Sequence, residues 1–344
     1  MIDVALDARI TPRMSAGVRA YVRALLDGLP RVAPDVRLHA VGHGLNFGLD
    51  EQFRLPAEID RLKPAVTHYP TIFAPLRRRR PYVAMVHDLI HLQYPQFFSK
   101  ATAAFYAVAA KPMLRGATLL LMSDERTADA CVELLGVERE RCRIVPLGYD
   151  PAHFAAAETR SPRRPFIMYA GNHRPHKNLD VLYEAWAGLP EAIVLDLVIT
   201  GPADRAAPHR YRRAASELRY AGTLSDAHLV AGYRAASAYV HPALVEGFGL
   251  PMLEAMVAGT PVIASATSVP RILAPYAATF APHDPLALRA LLTDLAANPA
   301  PYRRRAAEGE AVARAYTWDR FAAATAAVYR EAVDATSGRH SSGR

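Results

Sequence analysis

The sequence VEGFGLPMLEAMVAGTPVIAS, residues 245–265, has the pattern of a loop, a helix and then a strand. An apolar run before it predicts a strand that ends near His241, and the apolar spacing over 250–258 predicts a helix. A helix N-terminus carries free backbone N–H groups and the positive end of the helix dipole, which together attract an anion such as a diphosphate. The expected anion-binding groups are the backbone N–H groups of Phe248, Gly249 and Leu250.

Two glutamates flank this expected anion site, Glu246 just before the helix and Glu254 within its first turn or so. Two carboxylates beside an anion are costly unless another part of the ligand uses them. Pairs of sugar or ribose hydroxyls are suitable users, because a carboxylate can accept two hydrogen bonds at once. The pattern predicts a nucleotide-sugar site, and the plainer alternative makes Glu254 an ordinary acid at a helix start.

Residues 245–265 resemble the E-x7-E element of the retaining glycosyltransferases of family 4, which have the two-domain GT-B fold. The resemblance implies that Glu254 holds the ribose and that Glu246 is a catalytic residue, which holds a hydroxyl of the donor sugar. It also implies hexose transfer with retention of configuration, with a mannose-like sugar as the expectation, in surface-polysaccharide or glycoconjugate biosynthesis. The implied acceptor is a glycan, a lipid-linked molecule or a small molecule.

The segment YAGNHRPHKNL, residues 169–179, is the second strong pattern. A strand ends at its glycine, and a short loop brings Lys177 to the start of a helix, where an ammonium group suits a phosphate. The resembling family has its diphosphate-binding lysine here, so Lys177 is a catalytic and donor-binding candidate; the alternative is a solvated lysine. The family often has an arginine where this chain has Asn172, and Arg174 is the expected substitute in the donor site.

His87 follows a buried strand within VAMVHDLIHLQYP, residues 83–95. The carboxyl end of a parallel strand is where side chains meet ligands in doubly wound sheets. The resembling enzymes have a histidine here that contacts the donor sugar, which makes His87 the third catalytic candidate. The alternative is a core histidine that is hydrogen-bonded to the backbone.

Metal binding is not expected. The histidine pairs His87 and His91, and His173 and His176, lack the helix, glutamate and third ligand of a zinc site. The chain also has no Asp-x-Asp pair, by which metal-dependent glycosyltransferases of the other main fold hold Mg²⁺. We therefore expect a reaction without metal or cofactor, in which Lys177 and helix N-termini neutralise the leaving group.

Two further segments complete the expected donor site. Gly17 lies where the first strand and loop pass into a helix, and a glycine there lets the backbone approach a phosphate closely. A later strand ends at a segment that corresponds to the family region whose backbone faces the nucleobase. That segment consists of Gly222, Thr223 and Leu224.

The composition is that of a globular protein long enough for two domains, with 344 residues of which 51% are hydrophobic. No apolar run approaches the roughly 18–20 residues needed to span a bilayer. The first residues read as a strand rather than a signal peptide. Two cysteines, Cys131 and Cys142, are too few for a disulfide framework. We expect a cytoplasmic protein.

The net charge of +8 admits nucleic acid, an anionic membrane or an anionic substrate as the partner. The basic residues are scattered and lack a nucleic-acid-binding motif, so nucleic acid is not expected. One basic run is either a solvated loop or a peripheral contact with anionic lipid at the inner face of the membrane. It consists of Arg77, Arg78, Arg79 and Arg80.

Short apolar runs alternate with helical stretches along the chain, which is typical of parallel sheets with helices on both faces. With the resemblance, this predicts an α/β protein of GT-B fold, two doubly wound Rossmann-like domains facing a central cleft. The predicted parts are an acceptor-side domain (1–157), a donor-side domain (165–316), a helix crossing back to the first domain (317–334) and a disordered tail (335–344). Residues 150–164 are predicted to be a linker.

Two other functions stay open. A nucleotide-sugar epimerase of the same architecture lacks this glutamate spacing. A catalytically inactive, glycosyltransferase-like binding subunit would have lost site groups, and Asn172 together with Ala16, where the family commonly has a glycine, point that way. The intact Glu246, Lys177 and His87 favour the enzyme.

Overall fold

The computed structural model describes residues 1–9, 15–44, 48–78, 81–156, 162–204 and 207–341. The chain divides into two compact units, the first formed by Met1–Gly148 with Thr317–Arg344 and the second by Tyr149–Tyr316. Each unit has a six-stranded sheet with helices on its faces. The alternation of apolar and helical stretches predicts this doubly wound architecture correctly.

The first unit is built on a parallel sheet. Its strands are β1 (Ile2–Asp7), β2 (Val36–Val41), β3 (Val66–Tyr69), β4 (Tyr82–Val86), β5 (Leu119–Met122) and β6 (Cys142–Ile144). Its helices before the second unit are α1 (Ala16–Val32), α2 (Leu55–Leu62), α3 (Ile90–Gln93), α4 (Lys100–Phe105), α5 (Lys111–Gly116) and α6 (Glu125–Leu135). The strand order is β2-β1-β3-β4-β5-β6.

The second unit repeats the plan with a sheet whose named strands are all parallel. Its strands are β7 (Phe166–Tyr169), β8 (Asp196–Thr200), β9 (Leu218–Gly222), β10 (Ala238–His241), β11 (Val262–Ser265) and β12 (Ala277–Phe280). Its helices are α7 (Pro151–Ala156), α8 (Leu179–Ala187), α9 (Ala207–Arg210), α10 (Asp226–Ala235), α11 (Leu250–Val257), α12 (Pro285–Ala297) and α13 (Ala300–Ala313). The strand order is β12-β11-β10-β7-β8-β9.

The central strands are buried along their whole length, as β4, β5, β7, β10 and β11 show. Helices cover both faces of a parallel sheet, so its strands are continuous apolar runs rather than alternating ones. Each fully buried leucine or phenylalanine stabilises the fold by about 1.5–3 kcal/mol relative to an exposed one. The buried apolar residues form one hydrophobic core in each unit.

The strand order reverses once in each sheet. In the first unit the reversal lies between β1 and β3, and in the second it lies between β7 and β10. The loops that follow two such strands leave in opposite directions and open a crevice at the carboxyl ends of the strands. Ligand sites in doubly wound folds lie at these positions, so the loops after β7 and β10 are the first place to look for one.

The last helix, α14 (Trp318–Ser341), belongs to the first unit and packs against α1. Its Tyr329 hydroxyl lies 2.5 Å from Nδ1 of the buried His68 on β3. The predicted disordered tail is wrong over 335–341, because the sequence there contains no proline and the helical ladder continues. Residues 342–344 lie outside the described residues.

The predicted boundary between the domains is also wrong. Residues from Tyr149 onwards belong to the second unit, and α7 occupies part of the expected linker. This helix is attached to α10, because the Arg234 guanidinium donates a 2.6 Å hydrogen bond to the Phe154 carbonyl. Phe154 is buried, so the segment packs despite its polar, proline-bearing sequence. Residues 157–161 of the expected linker lie outside the described residues.

Candidate functional site

The loops after β7 and β10 are tied together at the reversal point of the second sheet. The Asn178 side-chain amide donates to the carbonyls of Pro242 (3.1 Å) and Pro282 (2.6 Å), and the Leu244 N–H donates to the His176 carbonyl (2.8 Å). Asn178 has a positive φ of 56°, which asparagine tolerates better than most residues. These bonds fix the short 3-10 turn Pro175–Lys177 beside the loop that carries Glu246.

Lys177 and Glu246 form a largely buried ion pair in this crevice. The Lys177 ammonium donates to Oε2 of Glu246, and the two side chains are only 10% and 18% exposed. The same carboxylate oxygen lies 3.1 Å from Nε2 of His241, the last residue of β10. A carboxylate that faces two donors at the carboxyl end of a parallel sheet is held in one orientation, with its position set by secondary structure.

The electrostatics of the pair favour the charged forms. Burial alone would raise the pKa of Glu246, but the Lys177 ammonium and the His241 hydrogen bond hold it well below its usual range. Burial lowers the pKa of His241, although Glu246 pulls it the other way. At neutral pH the crevice therefore contains an ionised carboxylate, an ammonium and a neutral imidazole.

The loop after Glu246 requires glycine at its end. Gly249 has φ +75° and forms the N-cap of α11, and a Cβ there would collide with Cε of Met252 and lie 3.3 Å from Cγ of Glu246. Within the described parts of the chain, the backbone N–H groups of Phe248, Gly249 and Leu250 have no hydrogen-bond acceptor. The first turn of α11 contains no acid. These free amides at a helix N-terminus are suited to an anion.

Glu254 is the fifth residue of α11, just past its first turn. Its carboxylate is partly buried against α10 and accepts a 3.3 Å hydrogen bond from the Tyr233 hydroxyl. Burial raises the pKa of Glu254 to about 7, and the Tyr233 hydrogen bond offsets only part of that rise. A carboxylate in such surroundings has unused acceptor capacity, because a single neutral donor does not satisfy it.

The remaining predicted residues of the second unit lie at the surface of the same sheet edge. Asn172 is exposed, accepts the Tyr169 hydroxyl on its carbonyl and caps the Arg174 N–H with its side chain. Arg174 is exposed and begins the 3-10 turn that ends at Lys177. Gly222 ends β9 with φ +67°, and a Cβ at this position would meet only open space within 4 Å. Thr223 and Leu224 follow it and lead into α10.

His87 lies in the first unit, directly after β4. Its Nε2 lies 2.9 Å from the Pro70 carbonyl, which only accepts, so Nε2 carries the proton. Burial lowers the pKa of His87 to about 4, although the Pro70 hydrogen bond acts in the opposite direction. The ring is therefore neutral at pH 7, and its Nδ1 is an acceptor.

Gly17 is the second residue of α1 and has an ordinary helical backbone, so the helix begins earlier than the sequence suggests. Ser15 caps this helix by accepting the Val18 N–H at 3.3 Å. Of the basic run, Arg77 pairs with Asp60 (2.8 Å) and Arg78 lies over the Tyr82 ring. Arg79 and Arg80 lie outside the described residues.

Potential metal ligands do not come together in the parts of the chain that the structure describes. There, histidine, cysteine, aspartate and glutamate side chains form no group of three or more that could hold an ion. Within the same parts, no helix is both long and apolar enough to cross a bilayer.

Sequence reasoning missed His241 and Tyr239. The Tyr239 hydroxyl lies 2.8 Å from Nδ1 of His241, and both residues are buried. The available signal was a polar residue at the end of an apolar strand, followed by a loop with a carboxylate. Parallel strands present residues at their carboxyl ends to ligands.

Comparison with known proteins agrees with the fold of the two units. Sucrose-phosphate synthase from Thermosynechococcus elongatus superimposes with a TM-score of 0.74 at 18% identity, over 96% of this chain and 99% of that one. Anabaena HepE in complex with UDP and glucose has a TM-score of 0.72 at 16% identity, over 96% and 100% of the two chains. Two family models match the sequence, Glycosyltransferase Family 4 over residues 15–153 and Glycosyl transferases group 1 over residues 153–311. The chain belongs to the GT-B glycosyltransferases.

Curated relatives of this glycosyltransferase include several bacterial enzymes. O-antigen chain mannosyltransferase B of Escherichia coli is 25% identical over 292 residues, which cover 78% of this chain and 74% of the relative. D-inositol 3-phosphate glycosyltransferase of Streptomyces bingchenggensis is 29% identical over 286 residues, 75% and 63% of the two chains. MMP alpha-(1→4)-mannosyltransferase of Mycolicibacterium hassiacum is 32% identical over 227 residues, 62% and 54%. The chain thus spans between half and three-quarters of the length of these glycosyltransferases.

Proposed function

We propose that this glycosyltransferase transfers a hexose, with a mannose-like sugar as first candidate, from a nucleoside diphosphate sugar with retention of configuration. The Lys177–Glu246 pair at the reversal point of the second sheet carries the proposal. A buried ammonium, free helix amides and a fixed carboxylate there suit a phosphate and a sugar hydroxyl on one ligand. The relatives named as mannosyltransferases support the choice of sugar.

Lys177 and the amides of residues 248–250 would hold the diphosphate and carry its charge as it leaves. The ammonium already faces Glu246, so donor binding would share one cation between a carboxylate and a diphosphate. Groups fixed in advance, where charge develops, contribute more to catalysis than groups that must reorganise. Lys177 is therefore the proposed electrostatic catalyst, and Gly17, at the start of α1, Asn172 and Arg174 are proposed further contacts to the donor.

Two glutamates would bind the sugar and the ribose of the donor. Glu246 would accept a donor-sugar hydroxyl, and Glu254 would accept the ribose hydroxyls. The raised pKa of Glu254 supports this assignment, because hydroxyl donors would stabilise its ionised form and offset its burial. The segment Gly222, Thr223 and Leu224 would face the base, and its open glycine leaves the backbone accessible.

Retention would follow from attack of the acceptor hydroxyl on the face from which the diphosphate departs, through an oxocarbenium-like state. The C1–O bond to the diphosphate breaks as the bond to the acceptor oxygen forms, and the acceptor proton passes to the leaving phosphate. His87 would accept a hydroxyl of the donor sugar on Nδ1, for which its neutral ring is suited. No metal is required in this scheme, since Lys177 and the helix amides neutralise the diphosphate. The acceptor is proposed to be a glycan, a lipid-linked molecule or a small molecule of glycoconjugate biosynthesis.

The alternative is a glycosyltransferase-like subunit that binds without catalysis. Asn172 favours this alternative, because it is an exposed, uncharged residue where the family often has an arginine. A donor-hydrolysis assay with UDP-, GDP-, ADP- and dTDP-hexoses in EDTA, with Glu246→Gln as the control variant, separates the two. Slow release of one nucleoside diphosphate that Glu246→Gln abolishes supports the enzyme, whereas no release in the presence of tight nucleotide binding favours the subunit.

A peripheral membrane contact in the first unit is a further part of the proposal. Three large apolar side chains near the basic run are exposed: Leu49 (78%), Phe53 (69%) and Leu76 (72%). The Leu76 N–H donates to the Gln52 side chain at 3.0 Å, which places this segment beside the turn Asp50–Arg54. Apolar side chains next to arginines suit the interface of an anionic bilayer.

Sedimentation with vesicles tests this contact. Phe53→Ser should weaken binding to vesicles that contain phosphatidylglycerol, while Leu286→Ser, at a 65% exposed leucine of the second unit, should leave it unchanged. Equal binding of the two variants and the wild type would contradict the proposed contact.

A further inference from the structure

His241 makes a hydrogen bond that the proposed chemistry has not used. Its Nε2 lies 3.1 Å from Oε2 of Glu246, and its Nδ1 lies 2.8 Å from the Tyr239 hydroxyl. That hydroxyl also lies 3.2 Å from the Ala170 carbonyl at the end of β7. His241 is 1% exposed and Tyr239 fully buried, so this chain of groups runs from the core of the second unit to the crevice.

The chemistry of the partners determines the tautomer. An ionised carboxylate only accepts hydrogen bonds, so Nε2 must carry the proton. The ring is buried and neutral, which leaves Nδ1 as an acceptor for the Tyr239 hydroxyl. The Glu246 carboxylate therefore selects the Nε2–H tautomer of His241. The single proton of the Tyr239 hydroxyl is shared between Nδ1 of His241 and the Ala170 carbonyl.

The arrangement of the two donors on one oxygen has a functional consequence. Lys177 and His241 both contact Oε2 of Glu246, and within the described residues Oε1 has no hydrogen-bond donor. When a diphosphate shares the Lys177 ammonium, the ion pair with the Glu246 carboxylate is weakened. The imidazole sits on a buried strand end and would keep its hydrogen bond, leaving Oε1 for a ligand hydroxyl.

We propose that His241 is a positioning residue, which holds the Glu246 carboxylate in place for the donor sugar, while the Tyr239 hydroxyl hydrogen-bonds its other ring nitrogen. The inference rests on the proposed function in so far as Glu246 binds the sugar. The hydrogen bond itself and its effect on Glu246 are properties of the unliganded protein. Activity and geometry can therefore be tested separately.

Two substitutions at position 241 separate the hydrogen bond from mere packing. His241→Phe keeps a ring of similar size without a donor, whereas His241→Gln loses the ring and has an amide N–H near the place of Nε2. Positioning predicts that His241→Gln retains transfer within about 3-fold, and that His241→Phe loses about 10- to 100-fold in kcat/KM, the worth of a hydrogen bond to a charged group. Activity that is retained in His241→Phe and lost in His241→Gln would overturn the proposal, because it would show that the ring acts only through packing.

The loss should have a characteristic form. His241→Phe should weaken binding of the nucleotide sugar but leave binding of the nucleoside diphosphate alone unchanged, because Glu246 faces the sugar. Tyr239→Phe should give a smaller loss of the same kind. Equal weakening of nucleotide and nucleotide sugar would contradict a role through Glu246. Thermal unfolding and circular dichroism of each variant establish that it is folded.

A measurement without substrate decides the inference even if the chain proves inactive. Long-range ¹H–¹⁵N spectra of the wild type should show His241 as the Nε2–H tautomer. Carboxyl ¹³C titration should show a higher pKa of Glu246 in His241→Phe than in His241→Gln. The Nδ1–H tautomer, or identical Glu246 titrations in the two variants, would overturn the inference. The expected tautomer without any nucleotide binding would uphold the positioning and refute the proposed function.

Discussion

Replacement of Glu254 by glutamine should stabilise the unliganded protein at alkaline pH and not at acid pH. Burial raises the pKa of Glu254 from 4.5 to about 7. Because the folded pKa lies above the unfolded one, ionisation of Glu254 opposes folding, and stability is lost as the pH rises from 4.5 through 7. The shift corresponds to roughly 3 kcal/mol at pH 8, from about 1.36 kcal/mol per unit.

The expected change follows from the size of the second unit. Tyr149–Tyr316 comprises 168 residues, for which 1 kcal/mol shifts Tm by about 2–4 °C. Glu254 is only partly buried, so solvent screening reduces the gain to roughly half and Tm should rise by about 3–6 °C at pH 8. Gln keeps the shape of the side chain, so at pH 4.5 the two proteins should differ little.

The assay is thermal unfolding of the wild type and Glu254→Gln between pH 4.5 and 8.5, together with nucleotide binding at pH 8. All other titrating groups are shared by the two proteins, so the dependence of the Tm difference on pH reports Glu254 alone. We expect the difference to grow with pH while nucleotide binding is lost. A Tm difference that does not change with pH would refute the argument that Glu254 is held with a raised pKa.

Two further substitutions test the crevice. Lys177→Met leaves the Glu246 carboxylate buried without its cation, which should cost about 3 kcal/mol of stability and at least 10-fold in nucleoside diphosphate affinity. The double variant with Glu246→Gln should lose less stability than the two single variants together. Strict additivity in unfolding and titration experiments would contradict the ion pair. Gly249→Ala places a Cβ against Met252 and should weaken nucleotide binding in calorimetry, whereas Gly259→Ala, with a similar φ of +74°, should cost comparable stability and leave binding intact. Equal losses of binding in the two alanine variants would contradict a specific role for the 249 loop.

The sequence was sufficient to predict the fold because the deciding patterns are local. Apolar runs of four or five residues predict buried parallel strands, and all of those expected in the central part of the second unit, including β7, β8 and β10, are present. The loops that carry Lys177 and Glu246 follow two of these strands. Their meeting at the reversal point depends on strand order, which a right-handed doubly wound fold largely determines.

The parts that could not be predicted depend on contacts distant in sequence. The pKa of Glu254, for example, is raised by burial, and the Tyr233 hydroxyl, which offsets part of that rise, comes from another helix. The helix α7 lies in a polar, proline-bearing stretch and is held by Arg234 far along the chain. Such pairings carry no periodic signal, so a single sequence does not indicate them.

The most direct test of the proposed donor site is calorimetric titration of UDP, GDP, ADP and dTDP into the wild type and Glu254→Ala, all in EDTA. We expect one nucleotide to bind the wild type without metal and to bind Glu254→Ala at least 10-fold more weakly, which would also identify the base. Equal affinity of the two proteins would contradict the assignment of the ribose to Glu254. Binding of no nucleotide by the folded wild type would contradict the donor site itself.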